Sequence, residues 1–405
     1  MKLGLDLQLP GTSKAHYKSV YNERRFNHSW YIGKTGQGKS TALINCAIQD
    51  ILNGEGVAFF DPHGDAIDTI LEHIPPENVI LFDPSDREYP IGFNPLHNVD
   101  DVPFVASSVV DTFKAIWGHS WGPQLEQYLY NGIAALAEVP DGTLIGLKYL
   151  ITSEKYRKRV MSFVTDPVIR GFWDMDFDEL MPDREKRQNT LSTLNKIGAL
   201  IADPKIRNVI GQPKSTINFQ EVMDNEKCLL IRLPQGKLGI QKSAMLGALL
   251  MAQLHLTALN RTSTMPFHIY ADEAHHFGTS TLEEMLSGIR KFHVSLVLAH
   301  QYIDQLTPSL QSALLGTVGT IVAFKIGIND AEVIAKEMEL EPRDLVQQKP
   351  YKAWVKSSSI DNLTMSNIEF PVLDSQELIR ENTRRQYGRT KWKVENRIKK
   401  FIRST

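Results

Sequence analysis

The sequence predicts an α/β protein in which helices cover both faces of a parallel sheet and an all-α segment interrupts the chain. Short apolar runs alternate with helix-forming segments in the first hundred residues and again after residue 208. These runs, such as 56–60, are almost continuously apolar, which is typical of strands buried on both faces. Between residues 104 and 207, helical patterns instead follow one another with few strand-like runs.

The individual elements follow from these patterns in chain order. A strand over 28–32 precedes a helix over 39–52, which ends at the C-cap pair Asn53-Gly54. We expect the other strands at 56–60, 78–84, 227–233, 266–273, 294–299 and 320–325, with 91–96 closing the first block. One helix is expected to end near residue 73. Other helices are expected at 104–117, 124–137, 144–151, 186–201, 243–259, 280–291 and 330–338. The predicted domains are a sheet domain in two parts, 1–103 and 208–375, an all-α domain at 104–207 and a basic helical tail at 376–405.

Composition limits the class of protein. The 405 residues are 42% hydrophobic and 23% charged, as in ordinary globular proteins. With only Cys46 and Cys228, a disulfide framework is not expected and a reducing compartment is indicated. The longest apolar run, 243–259, is shorter than the ~20 residues that span a bilayer, and the N-terminus lacks the features of a signal peptide.

A glycine-rich turn joins the first buried strand to the first helix. It matches G-x-x-x-x-G-K-[ST], and its candidate nucleotide-binding residues are Gly33, Lys34, Thr35, Gly36, Gln37, Gly38, Lys39, Ser40 and Thr41. Gly33, Gly36 and Gly38 allow the positive φ angles and close approach with which backbone N–H groups surround phosphate oxygens. Lys39, exposed in the empty site, would lie between the β and γ phosphates, and Ser40 would bind Mg²⁺. The turn therefore predicts a phosphate-binding loop for ATP and Mg²⁺.

Two carboxylates, Asp272 and Glu273, end an apolar strand. A nucleoside triphosphatase needs one carboxylate for the Mg²⁺ shell and one to polarise the attacking water, and we assign Asp272 and Glu273 to these roles in that order. Residues 272–275 also spell DEAH, the box of two-lobed helicases. Those helicases need a second lobe with the motif Q-x-x-G-R-x-x-R, which residues 385–389 imitate only loosely, so we interpret the spelling as accidental.

Gln301 ends the next apolar strand, where an amide can sense the γ phosphate and the attacking water. The alternative is an ordinary polar residue at a strand end. Several histidines lie near these strand ends, but no ligand spacing among them supports a metal site; they are His268, His275, His276 and His300.

An arginine that neutralises transition-state charge, often supplied by a neighbouring subunit, raises the rate of such enzymes ~10³–10⁵-fold. Arg24 and Arg25 precede the first buried strand, and Arg290 ends the helix before the Gln301 strand. Each alone could be a surface arginine, but together we expect them to include one catalytic arginine.

In sequence order these motifs resemble the FtsK/HerA branch of RecA-type P-loop ATPases, and most closely the cytosolic motors of TraD/TraG-like conjugative coupling proteins. The matching positions span nearly the whole chain and are far more specific than the phosphate loop alone. They are His28 ahead of that loop, 61–65 (DPHGD), 93–96 (FNPL), 272–275 (DEAH), 290–301, 387–389 (YGR) and 394–395 (VE).

The resemblance implies a RecA-like core and a hexameric ring that pumps DNA through its centre in conjugation or another mobile-element transfer. The all-α domain would lie at the cytoplasmic mouth of the ring. The nucleotide-site motifs fall on Lys39, Ser40, Asp272, Glu273 and Gln301, and the trans-arginine positions fall on Arg25 or Arg290.

The resemblance also implies partners and a location. Besides DNA and further copies of the chain, a relaxosome or secretion-channel protein is an expected partner. Membrane-anchored members begin with transmembrane helices, and a barrel normally precedes the motor; the leader here contains neither. We therefore expect a naturally soluble member or an excised cytosolic piece, cytoplasmic in location, which partners could hold at the inner membrane.

Two other functions fit the same motifs. One is a secretion ATPase of the same fold that acts on protein, and the other is an assembly scaffold in which nucleotide binding drives no motor. Stimulation of ATP hydrolysis by DNA would distinguish the DNA translocase from both of these alternatives.

The tail differs from the rest of the chain in charge. Residues 379–405 contain six Arg and four Lys against two Glu, a net +8, whereas the whole chain carries −2. The excess is either a solvated helix face or a surface for DNA phosphate or an acidic neighbour. The candidate contact residues are Arg384, Arg385, Arg389, Lys391 and Lys393, with Tyr387 and Trp392 among them.

Overall fold

The computed structural model describes residues 2–6, 16–19, 22–97, 99, 101–277, 280–364 and 370–405, without the side chains of 2–23 and 119. The chain divides into two compact units, a sheet unit and a helical unit. The sheet unit consists of residues 1–82, 219–234 and 254–382. The helical unit consists of residues 83–218, 235–253 and 383–405.

Eleven strands form one sheet in the sheet unit. They are β1 (Lys2–Asp6), β2 (His16–Ser19), β3 (Ser29–Ile32), β4 (Gly56–Asp61), β5 (Val79–Phe82), β6 (Cys228–Arg232), β7 (Phe267–Ala271), β8 (Val294–His300), β9 (Thr320–Ala323), β10 (Lys352–Lys356) and β11 (Ile360–Thr364). The spatial order is β2-β1-β11-β10-β9-β3-β8-β7-β4-β6-β5. The seven strands from β9 to β5 in this order are parallel, and the four at the other edge pair antiparallel.

The parallel part of the sheet is covered on both faces, as predicted. Every residue of β3, β4, β7, β8 and β9 is buried, so neither face of these strands meets water. Parallel strands joined by helical crossovers require such cover, and their near-continuous apolar sequences follow from it.

Nineteen α-helices cover the described parts of the chain. They are α1 (Asn22–Arg25), α2 (Lys39–Leu52), α3 (Asp65–His73), α4 (Val102–Trp117), α5 (Pro123–Ala137), α6 (Gly146–Thr152), α7 (Glu154–Met161), α8 (Pro167–Gly171), α9 (Asp183–Ala202), α10 (Pro204–Ile210), α11 (Phe219–Asp224), α12 (Gln235–Leu238), α13 (Ile240–Leu259), α14 (Ser280–Gly288), α15 (Pro308–Thr317), α16 (Ile328–Met338), α17 (Pro342–Val346), α18 (Gln376–Gln386) and α19 (Lys391–Ser404). Short 3₁₀ turns occur at Gly118–Ser120, Ala274–Phe277, Ile289–Phe292 and Ile303–Gln305, and residues Phe172–Leu180 form a π-helix. No described helix combines the length and apolar composition needed to cross a bilayer.

Helix α2 shows how the local sequence positions the core. Its apolar residues Leu43, Cys46 and Ala47 recur at helical spacing and pack against strand residues such as Tyr31 and Val297. The helix ends at Leu52 with Asn53 as its C-cap, and Gly54 follows with φ +77°, the left-handed conformation that commonly terminates helices. This packing fixes the start of α2 against the end of β3.

The helical unit has a separate aromatic core. Trp173 and Phe177 are fully buried and contact each other at a ring-centroid distance of 5.1 Å. Arg157 binds Asp178 and lies over the Phe177 ring, so its charge is both paired and covered. The described residues of 83–218 form helices and turns without a strand.

From residue 383 onward the tail belongs to the helical unit. In α19, Val394 and Ile398 are buried against Ile145. Three of the tail's cations pair with acidic residues of the same unit: Arg384 with Asp86, Lys391 with Glu88 and Arg397 with Asp141. Trp392, by contrast, is 71% exposed. Part of the tail's charge therefore serves packing, while its outer face stays open to solvent.

Most predicted elements lie within a few residues of the observed ones, but several short helices, such as α7, α8, α10 and α15, were not predicted, and two further regions differ. Residues 91–96 form no named strand, because Ile91 makes only an isolated bridge to Gly388. The antiparallel edge strands β1, β2, β10 and β11 were not predicted.

Candidate active site

The predicted phosphate loop lies between β3 and α2. Gly33 N–H donates to His300 O at 3.2 Å, and Lys34 N–H donates to Lys325 O at 2.9 Å, so both neighbouring strand ends anchor the loop. Gly36 and Gly38 have φ of +74° and +107°, whereas Gly33 does not adopt a positive φ. A Cβ on Gly33 would lie 2.5 Å from the Phe324 Cβ, so that glycine permits close packing instead.

Lys39 lies inside the loop. Its ammonium donates to Gly33 O at 2.6 Å and to Lys34 O at 3.2 Å, and the residue is only 6% exposed. The prediction that Lys39 is exposed is therefore wrong. Burial lowers the pKa of Lys39, against the opposing effect of the Asp272 and Glu273 carboxylates. The ammonium is held at the position where the loop would meet phosphate.

Ser40 and Asp272 are brought together across 232 residues of sequence. Ser40 Oγ donates to Asp272 Oδ2 at 2.6 Å. Burial raises the pKa of Asp272, and the nearby carboxylates of Asp61 and Glu273 raise it further, against the Ser40 hydrogen bond and Lys39. A hydroxyl beside a buried carboxylate whose neighbours are also acidic fits Mg²⁺, a hard cation that takes oxygen ligands.

Asp61 belongs to this site and was not assigned a role in the sequence analysis. It ends β4 and is 1% exposed; its carboxylate accepts the backbone N–H groups of His63 at 2.8 Å and Ile67 at 3.0 Å. It therefore fixes the turn into α3 while adding negative charge near Asp272. The available signal was its place directly after an apolar strand, where the carboxyl ends of parallel strands gather polar residues.

Gln301 connects the phosphate loop to Glu273. Strand β8 lies between β3 and β7, so the residue after β8 lies between the loop and the acidic pair. Thr35 Oγ1 donates to Gln301 Oε1 at 3.1 Å, and Gln301 Nε2 donates to Glu273 Oε1. Glu273 itself has φ +48°, an uncommon conformation for a residue with a side chain. The geometry suits an amide that links phosphate contacts to the glutamate.

Glu273 is strongly acidic. A hydrogen bond from His276 is the main cause that lowers its pKa to about 2, opposed by burial and assisted by Gln301, His275 and His63. The carboxylate is therefore ionised throughout the neutral range and is a weak base. Such a group can orient and polarise a water molecule without holding its proton at equilibrium.

His300 is buried at the end of β8. Trp30 Nε1–H donates to His300 Nδ1 at 3.1 Å, which places the histidine proton on Nε2. That Nε2–H has no hydrogen-bond partner among the described residues. Burial lowers the pKa of His300 to about 3, with His275 and Lys39 adding to the effect, so the ring is neutral.

Arg25 is not where a trans-acting arginine must be. It is 2% exposed, and its guanidinium donates to Asp50 at 2.8 Å, to Glu55 at 2.9 Å and to the Tyr270 hydroxyl at 3.2 Å. Burial works to lower its pKa, but Tyr270, Asp50 and Glu55 together raise it above the usual range. The prediction that Arg25 could act on a neighbour's nucleotide is therefore wrong, because a buried, paired guanidinium cannot reach it.

The other two arginine candidates, Arg24 and Arg290, are exposed. His28 lies close to α14, the helix that precedes Arg290: it accepts Leu296 N–H at Nδ1, 3.0 Å away, and donates from Nε2 to Leu286 O at 3.1 Å. Burial lowers the pKa of His28 to about 4. His28 is thus a neutral structural link between strands and helix.

Solved structures share this fold. Plasmid coupling protein TrwB in complex with ADP and Mg²⁺ matches with a TM-score of 0.63 and 15% identity, over 87% of this chain and 89% of that one. The unbound TrwBΔN70, described as a bacterial conjugative coupling protein, gives 0.63 and 14%, over 87% and 88%. VirB4 of Thermoanaerobacter pseudethanolicus gives 0.63 and 15%, over 93% and 98%.

These matches confirm the predicted resemblance at the level of the fold. No protein-family model matches the chain, and no curated protein matches its sequence. The identities are low, so the roles of individual residues rest on the geometry above.

Proposed function

We propose that the chain is a Mg²⁺-dependent ATPase with its active site at the carboxyl ends of β3, β7 and β8. One observation carries the proposal: a hydrogen-bonded series joins the phosphate loop to both carboxylates. Ser40 binds Asp272 at 2.6 Å, and Thr35 binds Gln301 at 3.1 Å, which in turn binds Glu273. A chance glycine-rich turn would not place these groups together.

The chain's residues divide the chemistry among them. The backbone N–H groups of the loop donate hydrogen bonds to phosphate oxygens. Lys39 exchanges its contacts with the loop carbonyls for contacts with the β and γ phosphates. When bound, Mg²⁺ neutralises charge on those phosphates; Ser40 and Asp272 would hold it. Glu273 orients the attacking water, and Gln301 transmits the presence of the γ phosphate from Thr35 to Glu273.

We further propose that hydrolysis drives DNA through a ring of copies of this chain, in conjugation or a related transfer. The ordered motif series supports this, as does a fold shared with a plasmid coupling protein over 87% of the chain. Since Arg25 is buried, we propose that Arg290, which is exposed, acts on the nucleotide of the adjacent copy.

The test is the ATPase rate with and without DNA, with the mass in solution measured on the same sample and Lys39→Ala as the inactive control. Hydrolysis by an oligomer that DNA stimulates supports the whole proposal. Hydrolysis that protein substrates stimulate and DNA does not would favour a secretion ATPase. Slow, unstimulated hydrolysis accompanied by nucleotide-dependent assembly would favour a scaffold. Hydrolysis that Lys39→Ala leaves intact would refute the assignment of the site.

A further inference from the structure

Three histidine side chains converge on one oxygen of Glu273. The Nε2 atoms of His63, His275 and His276 lie 3.8, 4.0 and 3.5 Å from Glu273 Oε2. The other oxygen, Oε1, accepts the Gln301 amide, so Oε2 is the atom that faces the imidazoles. Three imidazole nitrogens and one carboxylate oxygen are the ligand types and the number found in four-coordinate zinc sites.

Gln305 fixes the tautomer of His275. Gln305 Oε1 accepts the backbone N–H groups of Gln301 and Tyr302 at 2.9 and 3.2 Å, so its NH₂ group faces His275 Nε2 at 3.3 Å. His275 therefore carries its proton on Nδ1, and its Nε2 lone pair accepts the Gln305 N–H, a hydrogen bond that an ion bound at Nε2 would replace. His275 Nε2 and Glu273 Oε2, 4.0 Å apart, are both electron-rich atoms that a bound cation would bridge.

The spacing of these atoms suits a small divalent ion. Zn–N bonds of ~2.0–2.1 Å in a tetrahedral arrangement place neighbouring ligand atoms about 3.3 Å apart. The ligand atoms of Glu273, His275 and His276 lie within 4.8 Å of one another, so small side-chain rotations would bring these three to one ion. The ion would replace the hydrogen bond from His276 to Glu273, and His276 would then carry its proton on Nδ1 and bind through Nε2. The His63 side chain is 54% exposed and has room to turn toward the ion.

A second cluster of possible metal-ligand atoms in the sheet unit differs from the Glu273 cluster because it already contains a cation. Asp50, Glu55 and His268 also offer converging ligand atoms. There the Arg25 guanidinium already supplies the positive charge. In the described part of the chain, imidazole nitrogens lie within 4.0 Å of the Glu273 carboxylate, and no lysine or arginine does.

We propose that His63, Glu273, His275 and His276 bind a divalent transition-metal ion, best matched by Zn²⁺, and that this ion inhibits hydrolysis by occupying the carboxylate that polarises water. The inhibition rests on the proposed function, whereas the binding does not. Imidazole ligands favour Zn²⁺, while Mg²⁺ takes oxygen ligands, so the two ions would occupy different groups.

The binding test uses the full chain without nucleotide, in excess Mg²⁺ to saturate hard-ion sites. CoCl₂ titration followed by visible absorption should give the strong bands of tetrahedral Co²⁺ at one ion per chain, and ZnCl₂ should remove them. His63→Ala and His276→Ala should each weaken binding at least about tenfold, since even outer-shell changes cost that much. His73→Ala, a histidine of α3 outside the cluster, is the matched control and should bind as the parent does.

The inhibition test measures the Zn²⁺ concentration that halves each protein's own ATPase rate at constant Mg²⁺-ATP. The parent and His73→Ala should share one value, and His63→Ala should need about tenfold more Zn²⁺. Octahedral Co²⁺ spectra, or equal Zn²⁺ affinity in all variants, would overturn the site. A chain without any ATPase would refute the proposed function, and the Co²⁺ spectrum would still decide the metal site.

Discussion

Replacing Arg25 by alanine should destabilise the sheet unit rather than disable a neighbour's active site. The substitution leaves Asp50, which is fully buried, and Glu55, which is 15% exposed, without their cation. Removing one partner of a buried ion pair costs about 3–5 kcal/mol, because the remaining charge is uncompensated. For a unit of this size Tm falls by about 2–4 °C per kcal/mol, which gives a loss of about 6–20 °C.

The assay is urea and thermal unfolding of Arg25→Ala beside Arg290→Ala, a surface arginine whose loss should change stability by less than about 0.5 kcal/mol. In mixing experiments with Lys39→Ala, Arg290→Ala should recover activity at junctions that pair an intact lysine with an intact arginine. Arg25→Ala should show no such pattern at temperatures where it stays folded. An Arg25→Ala protein with parental Tm and mixing-dependent rescue would refute the structural role assigned to Arg25.

Three further predictions concern Lys39, Glu273 and the buried His28. Lys39→Ala should keep the fold, within about 1 kcal/mol in urea unfolding, and lose turnover, since a partly desolvated ammonium at the loop acts on phosphate charge. Glu273→Gln should still bind ATP, measured by calorimetry, and fail to hydrolyse it; loss of ATP binding would make Glu273 a ligand of the nucleotide's Mg²⁺ or a structural residue. Between pH 6.5 and 4, His28 binds a proton in the unfolded chain but not in the folded protein, where its pKa is about 4. The free energy of unfolding should therefore decrease by up to about 3 kcal/mol as the pH is lowered through this range. Urea titrations at several pH values should show a shallower fall in His28→Asn, and an identical fall would contradict the burial argument.

The parallel core of the fold was predictable because burial on both faces leaves a signature in the sequence. Strands such as β4 and β8 are almost wholly apolar and are followed by turn residues, which is why their positions were predicted closely. The hairpin of β10 and β11 was not predicted because both strands are only five residues long; β10 alternates between buried and half-buried residues, and β11 buries only Leu363. Strand order was also beyond reach, since periodicity reports which face is buried and not which strand is adjacent.

The site was predictable where the motif itself dictates geometry. A phosphate loop between a strand and a helix fixes Lys39 and Ser40, and an acidic pair after a parallel strand faces the same edge, so Ser40 and Asp272 meet. A charged side chain in a glycine-rich turn is expected to be exposed, and for Lys39 this expectation is wrong. Its burial depends on the loop carbonyls of Gly33 and Lys34, whose directions no residue pattern encodes.

Arg25 and Glu273 show why charged residues near a motif cannot be assigned from position alone. Both lie within a few residues of a strand of the same sheet, and both take part in clusters of ionisable groups. Around Arg25, opposite charges are paired in the interior, and the group gains nothing from a ligand. Around Glu273, a carboxylate faces imidazole nitrogens without a lysine or arginine partner among the described residues, so the charge is left for a cation or a polarised water. The difference comes from which side chains the fold brings from other parts of the chain, namely Asp50 of α2 and Glu55 in one case and His63 in the other.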